Sequence, residues 1–150
     1  MDTPAKQAVS DFITKLDAFL KGEAVNISPL LNDNVVVQVS GSSSISGRFP
    51  GKKIVRRVLA ETVLSRINKN TWSVSLDRMI GAGPRIATLL TITGETIEGR
   101  VYNPDRFDCG CIFEVKDHLI TEIWLFPDIR EIETILFGRI FVRNQSSQSS

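Results

Sequence analysis

The stretch FEVKDHLITEIWLFPD, residues 113–128, decides the fold of this 150-residue chain. It completes one predicted strand over residues 107–116 and contains a second over residues 119–126, both rich in β-branched and aromatic side chains. Asp117 and His118 join the two strands, and a two-residue connection is typical of a β-hairpin. Asp128 then stands three residues before Glu131, the spacing of a helix capping box. The sequence therefore predicts an antiparallel hairpin followed by a helix that begins near Asp128.

Earlier segments extend the same sheet toward the N-terminus. Trp72 begins a run over residues 72–76 in which apolar and polar side chains alternate, as in a half-buried strand. A turn over residues 81–84 precedes the next strand, residues 86–93, and a further short strand is predicted over residues 97–102. These segments and the hairpin make a meander of four or five antiparallel strands.

Two long helices precede the meander. Thr3 and Pro4 give the first helix a capping hydroxyl and a proline at its first position, and Gly22 ends it. A short helical turn over residues 27–31, a β-branched strand over 35–39 and a Ser/Gly-rich loop over 40–51 follow. Pro50 is predicted to open the second helix, whose apolar face extends to residue 67. The last helix is predicted to place apolar side chains on one face as far as Ile140.

Helices that come before the strands, rather than alternating with them, favour an α+β fold over a parallel α/β sheet. We expect one domain over residues 1–143, in which a curved antiparallel sheet wraps around the N-terminal helices and a C-terminal helix follows. The polar segment 144–150 is predicted to be a disordered tail. A strongly curved sheet with helices on its concave side leaves a cone-like cavity, a common place for a small ligand.

Composition argues against several classes of partner. The net charge is +1, from 18 basic and 17 acidic residues, whereas nucleic-acid binding calls for a basic stripe. No apolar run approaches the roughly 20 residues that span a bilayer, and residues 1–12 lack the features of a signal peptide. Two cysteines are too few for a disulfide framework, so a reducing, cytoplasmic location is predicted. We therefore expect neither nucleic acid nor membrane as a partner.

Several short patterns, each loose but in a distinctive order along the chain, resemble those of one known superfamily. They are a first helix ending at Lys21-Gly22-Glu23, the segment 30–34 before the first strand, the segment 47–53 leading into the second helix, residues 99–103, and residues 113–128. This order is similar to that of the nuclear transport factor 2-like superfamily, in particular its SnoaL-like, ketosteroid isomerase-like group. The resemblance implies a cystatin-like α+β barrel, a pocket for a hydrophobic small molecule, and frequent homodimers formed through the outer face of the sheet.

The same resemblance points to Asp128 as a functional residue, because SnoaL-type cyclases and epoxide hydrolases use an aspartate near the end of the last strand. The Arg-x-Asp that the epoxide hydrolases also need is missing from residues 87–91. The positions that correspond to the ketosteroid isomerase machinery hold Lys15 or a neighbour, Val39 or Ser40, and Gly110. Neither catalytic set is complete.

Two carboxylates are the candidate catalytic residues. Asp128 could act as a general base if it faces a pocket, or it could simply cap the last helix. Asp108 is predicted to share a strand face with Gly110 and Ile112, with Arg106 two residues earlier on the same face. The predicted pocket-lining residues are Trp72, Tyr102, Arg106, Ile112, Trp124 and Phe126, several of which could equally be core or interface residues.

No metal or cofactor is predicted. Cys109 and Cys111 form a single pair, whereas zinc takes four ligands, and His118 is a lone histidine in a turn. Two functional hypotheses remain open. The first is a binding protein that holds a small molecule in an apolar pocket without a complete catalytic set. The alternative is an acid–base enzyme, a cyclase, isomerase or hydrolase, with Asp128 as general base on a small hydrophobic substrate.

Overall fold

A computed structural model describes residues 3–139. It has three α-helices within those residues, α1 (Pro4–Leu20), α2 (Lys52–Val58) and α3 (Ile129–Ile135), and a π-helical segment, Leu59–Leu64, that continues α2. The strands are β1 (Leu31–Val39), β2 (Gly47–Pro50), β3 (Ser73–Ile80), β4 (Arg85–Glu95), β5 (Val101–Tyr102), β6 (Asp108–Lys116) and β7 (Leu119–Phe126). The predicted tail 144–150 and the predicted helical residue Ile140 lie outside the described residues.

The first helix forms as its sequence predicts. The Thr3 hydroxyl accepts a hydrogen bond from the Lys6 N–H at 3.2 Å, Pro4 occupies the first turn, and Gly22 just beyond the end has a φ of 86°. Its buried side chains lie on one face, against the sheet: Ala8, Val9, Phe12, Ile13 and Leu20. The short helical turn predicted next is a 3-10 helix, Ser28–Leu30.

The sheet confirms the predicted α+β class, with one difference in strand direction. The strand order is β2-β1-β7-β6-β4-β3, and β5 pairs with β4. All pairs are antiparallel except β1 with β7, which run parallel. A parallel pair needs a long connection, and here residues 40–118 provide it. The sheet is therefore mixed rather than wholly antiparallel.

The hairpin between β6 and β7 turns at Asp117 and His118, as predicted. Both residues have positive φ angles, 51° and 65°, which are those of a type I′ turn. Asparagine and glycine are commoner at such positions, since other residues are strained there. The right-handed twist of the two strands favours this turn enough for Asp and His to occupy it.

Three local predictions differ from the structure. The predicted loop 40–51 contains β2, which pairs with β1, and Pro50 ends that strand instead of opening a helix. The second helix begins at Lys52 and changes to π-helical geometry at Leu59. The strand predicted over residues 97–102 is reduced to Val101–Tyr102, because the Gly99 N–H bonds to the Thr96 carbonyl in a tight turn.

Irregularities in the ladders curl the sheet into a half-barrel. The register shifts between Leu76 and Arg78 on β3 and between Glu114 and Val115 on β6, and bulges of this kind increase local twist. The concave face holds Phe113, whose ring makes an edge contact with Phe12 of α1 at 5.8 Å between centroids. Helix α1 thus packs on the concave face of the sheet, and α2 contacts β1 and β2 at one edge of it. Within residues 3–139, no helix combines the length and apolar character needed to cross a membrane.

Candidate functional site

An apolar cavity lies between the concave face of the sheet and helices α1 and α2. It has a volume of about 210 Å³. Because side chains alternate along a strand, β1 contributes Val37 and Val39 while Val36 and Gln38 point to the other side. Leu90, Ile92, Cys111, Phe113, Ile123 and Leu125 line it from the central strands. Helix α2 and its π-helical continuation line the helical side of the cavity with Val55, Val58, Leu59 and Val63.

Every side chain that lines this interior cavity is apolar. The remaining members of the lining are Phe12, Ile13, Leu16, Ile27, Leu31, Ile45 and Phe49. The Cys111 thiol is the only titratable group among them, and burial raises its pKa, so it stays neutral at physiological pH. A cavity with such a wall has no partners for water and favours an apolar occupant.

A second concavity lies at the end of the sheet, between α3 and the segment before β6. We call it the Asp128 groove; its volume is about 570 Å³, and Ile92 lines both this groove and the interior cavity. Both predicted catalytic carboxylates line it, together with two of the predicted pocket-lining residues, Tyr102 and Phe126. The structure therefore brings these four residues to one surface.

Asp128 is the N-cap of α3. Its Oδ1 accepts a hydrogen bond from the Glu131 N–H at 3.2 Å, and the residue is exposed to solvent. The second half of the predicted capping box is not formed. Instead, Glu131 Oε1 accepts a hydrogen bond from the Asn103 N–H at 2.9 Å, which ties α3 to the wall of the groove.

Asp108 lies on the convex side of the sheet, at the start of β6. The Thr91 hydroxyl on β4 is 2.9 Å from Asp108 Oδ1 and also contacts the Asp77 carboxylate. Hydrogen bonding to Asp108, and then to Thr91, lowers the pKa of Asp77. Asp108 is thus part of a polar cluster across three strands.

Arg106 does not share a strand with Asp108, so the predicted Arg-x-Asp pair within one strand is wrong. Strand β6 begins at Asp108, and Arg106 has a φ of 60° in the preceding turn. The Asn103 side chain imposes that turn, because its Oδ1 accepts from the Phe107 N–H and its Nδ2 donates to the Phe107 carbonyl, both at 2.9 Å. Arg106 is exposed and does not line the groove.

The predicted aromatic pocket residues have different locations. Trp72 is buried, donates from Nε1 to the Glu95 carbonyl at 2.7 Å, and packs on Tyr102 with the ring centroids 5.6 Å apart. Burial raises the pKa of the Tyr102 hydroxyl, so it stays protonated. Ile112 and Trp124 lie opposite each other on the convex face and line neither cavity.

The interior lining from β1 and α2 was missed by the sequence reasoning. The signal was present, since Val55, Leu59 and Val63 repeat every four residues on one helix face. None of the residues of α2 or of its π-helical continuation is fully buried. In the sequence, an apolar helix face that borders a cavity has the same pattern as one that packs against a core.

Across the described residues, no three His, Cys, Asp or Glu side chains are grouped closely enough to hold a metal ion.

This architecture, a half-barrel sheet closed by helices on its concave side, is shared with many solved structures. An NTF2-like protein of unknown function from Burkholderia pseudomallei superposes with a TM-score of 0.74 at 17% identity, over 90% of this chain and 98% of that one. A Mycobacterium tuberculosis protein solved in complex with estradiol-17beta-hemisuccinate gives a TM-score of 0.68 at 18% identity, over 87% and 98%. A structure assigned as a SnoaL-like polyketide cyclase from Jannaschia gives 0.66 at 11% identity, over 93% and 99%.

The chain has the nuclear transport factor 2-like fold, and the resemblance expected from the sequence is confirmed at the level of fold. No protein-family model matches the chain, and no curated protein matches it in sequence. Identities of 11–18% to the structures described above carry no information on activity.

Proposed function

We propose that this protein binds a small hydrophobic molecule in the interior cavity and does not act on it chemically. The observation that carries the proposal is the wall of the cavity, in which every side chain is apolar. General acid–base catalysis needs a titratable group within hydrogen-bond reach of the reacting proton. Asp108 and Asp128 line the outer groove instead, and a neutral thiol is the only titratable side chain in the interior.

The size of the cavity limits the ligand. A volume of 210 Å³ exceeds the engineered 150 Å³ apolar cavity that holds benzene, and equals about seven times the ~30 Å³ share of a liquid water. We expect compounds with about seven non-hydrogen atoms in the buried part, such as short alkyl chains or a single substituted ring. The structural neighbour solved with estradiol-17beta-hemisuccinate supports the general case of small-molecule binding in this fold.

The test uses 1-octanol as a neutral probe. Its binding is measured by calorimetry and by changes in the NMR shifts of the interior methyl groups. Val37→Phe fills the cavity from β1, whereas Val36→Phe adds the same volume on the opposite face of the strand. We expect octanol to bind the wild-type chain and Val36→Phe but not Val37→Phe, with both variants folded. Equal octanol affinity in the two variants would place the binding elsewhere and refute the proposal.

The acid–base alternative rests on one observation, that Asp108 and Asp128 line a single groove with Tyr102. Its substrate would be a small hydrophobic carbonyl or epoxide compound bound in that groove. Asp128→Asn separates capping from chemistry, because asparagine caps helices as well as aspartate but is no base. If the wild-type chain turns over such a substrate and the variant does not, although the two are equally stable, the enzyme hypothesis is favoured over the binding protein.

We further propose that the protein forms a homodimer through the convex face of the sheet. Leu89 and Phe126 are 37% and 48% exposed there, and the half-buried Ile112 and Trp124 lie beside them. Apolar side chains clustered on one face support burial against a second copy. Leu89→Lys should then shift the sedimentation coefficient to that of a monomer, and an unchanged coefficient would contradict this interface.

The free thiols of Cys109 and Cys111 support the cytoplasmic location that we propose.

A further inference from the structure

A third concavity, of about 630 Å³, lies between the C-terminal end of α1 and the outer flank of α2. We call it the basic groove. Lys53, Arg56 and Arg57 line it, and Glu61 is its only acidic side chain. The basic groove therefore carries an excess of positive charge, although the chain as a whole is nearly neutral.

These three cations have no carboxylate partner within the described residues. Their neighbour Lys52 does have one, since its Nζ is 3.3 Å from Asp33 Oδ1. Lys53, Arg56 and Arg57 all stand exposed at positions i, i+3 and i+4 of α2, and side chains at that spacing project from adjacent points of one face. Like charges held together in this way repel one another, and an anion bound between them would relieve that repulsion.

The basic groove and the interior cavity share a wall. Ile27 and Leu59 line both. On α2, Val55 lines the cavity and the next residue, Arg56, lines the groove about 100° further around the helix. In the π-helical segment Leu59 lines both, and Ala60 lines the groove. A molecule that extends from the interior cavity into the basic groove has one end among apolar side chains and the other among cations.

The helical segment that forms this wall is irregular and incompletely buried. Neither α2 nor the following segment Leu59–Leu64 has a buried residue, and that segment is π-helical. π-Helical geometry is rare and is frequently found at functional sites. Val55, Leu59 and Val63 pack against the core only partly buried. Elements with few fully buried side chains open at low free-energy cost.

We propose that the ligand is an amphipathic carboxylic acid, with an unbranched or single-ring apolar tail in the interior cavity and its carboxylate at Arg56 and Arg57. The proposal rests on the binding function proposed above and adds the charge of the ligand to it. Guanidinium groups suit this role because they hold a carboxylate through two parallel hydrogen bonds. Octanoate fits the dimensions, since the seven carbons beyond its carboxyl group match the room for about seven non-hydrogen atoms.

The experiment compares octanoate with 1-octanol, which has the same chain and no charge, by calorimetry on the whole protein. We expect octanoate to bind more tightly than octanol, and Arg56→Gln and Arg57→Gln each to weaken octanoate about two- to fivefold. Neither variant should change octanol binding. Glu61→Gln removes the repelling carboxylate and should tighten octanoate about twofold. Arg78→Gln, an exposed arginine on the opposite edge strand β3, is the matched control and should change neither ligand.

Two failures can be told apart. In the first, octanol binds the wild-type chain and not Val37→Phe, but octanoate binds no more tightly than octanol and its affinity is unchanged in the arginine variants. The charge inference is then wrong and the binding function stands. If neither compound binds in the interior, the binding function and this inference both fail. Raising the salt concentration gives an independent readout, because only octanoate affinity should fall as the exposed charges are screened.

Discussion

Gly94 on β4 offers a test of the packing that holds the edge of the Asp128 groove. A Cβ at this position would lie 2.3 Å from Cδ2 of Trp72 and 2.5 Å from Cγ and Cε2. Ordinary contact begins at 3.4 Å, so the indole would have to move. It has little freedom to do so, because Trp72 is 5% exposed, is hydrogen-bonded to the Glu95 carbonyl and lies against Tyr102.

We expect Gly94→Ala to lower the free energy of unfolding by about 1.5–4.5 kcal/mol relative to a glycine-to-alanine substitution in open space. Overpacking of a well-packed core costs about 1–3 kcal/mol, and displacement of the indole N–H from its acceptor adds about 0.5–1.5 kcal/mol. Gly94 has no positive φ, so the cost arises from the clash and not from backbone strain.

Gly83→Ala is the matched control. A Cβ there has nothing within 4 Å, and the backbone again has no positive φ. Both substitutions restrict the unfolded chain and so add about 0.4–1 kcal/mol of stability, a term that cancels in the comparison. Urea unfolding would be followed by the fluorescence of Trp72 in a Trp124→Phe background, since the chain has two tryptophans. Stabilities that agree within about 0.5 kcal/mol would refute the argument that Gly94 is required by the indole.

Three further predictions concern single groups. Asp128→Ala should cost about 1 kcal/mol in urea unfolding because α3 loses its cap, whereas Asp128→Asn should cost almost nothing; equal losses would contradict the capping role. Iodoacetamide at pH 8 should alkylate the half-buried Cys109 well before Cys111, which is 3% exposed, as read by mass spectrometry of the intact chain and of Cys109→Ser. A hydrogen bond from the Thr121 hydroxyl lowers the pKa of Glu114 below 4.5, so its stabilising effect is present above about pH 4.5 and lost as the pH falls through the lowered value. Thr121→Val should therefore reduce stability at pH 7 by less than about 1 kcal/mol and flatten the acid limb of the stability profile, and an unchanged profile would exclude this coupling.

The sequence predicted the elements whose patterns are local. The stripe on α1, its Thr3 cap and the β6–β7 hairpin depend on residues a few positions apart, so periodicity and turn chemistry were sufficient. Strand β2 was not predicted because its four residues, Gly47–Pro50, do not alternate between apolar and polar side chains. Pairing with β1 holds them in the strand. The parallel β1–β7 pair likewise depends on residues more than 80 positions apart, which no local pattern encodes.

The candidate site shows the same division. Asp128 was correctly placed before a helix, and the choice between cap and pocket depended on what lay beside it. The structure places it in an exposed groove and leaves the interior lined by apolar residues alone. Ile112 and Trp124 alternate as a pocket wall would, yet they face the convex side, since alternation defines two faces without saying which one is enclosed.

By itself, then, the sequence determined the α+β class, the order of the helices and of the strands other than β2, and the capping of α1 and α3. Tertiary structure alone decided where the sheet curls, which face of each strand lines the cavity, and that the apolar face of α2 lies over that cavity. The physical reason is the distance along the sequence between the residues that interact. Capping and periodicity are set by hydrogen bonds and burial between neighbours in sequence, whereas a cavity is the space left after distant strands have paired and twisted.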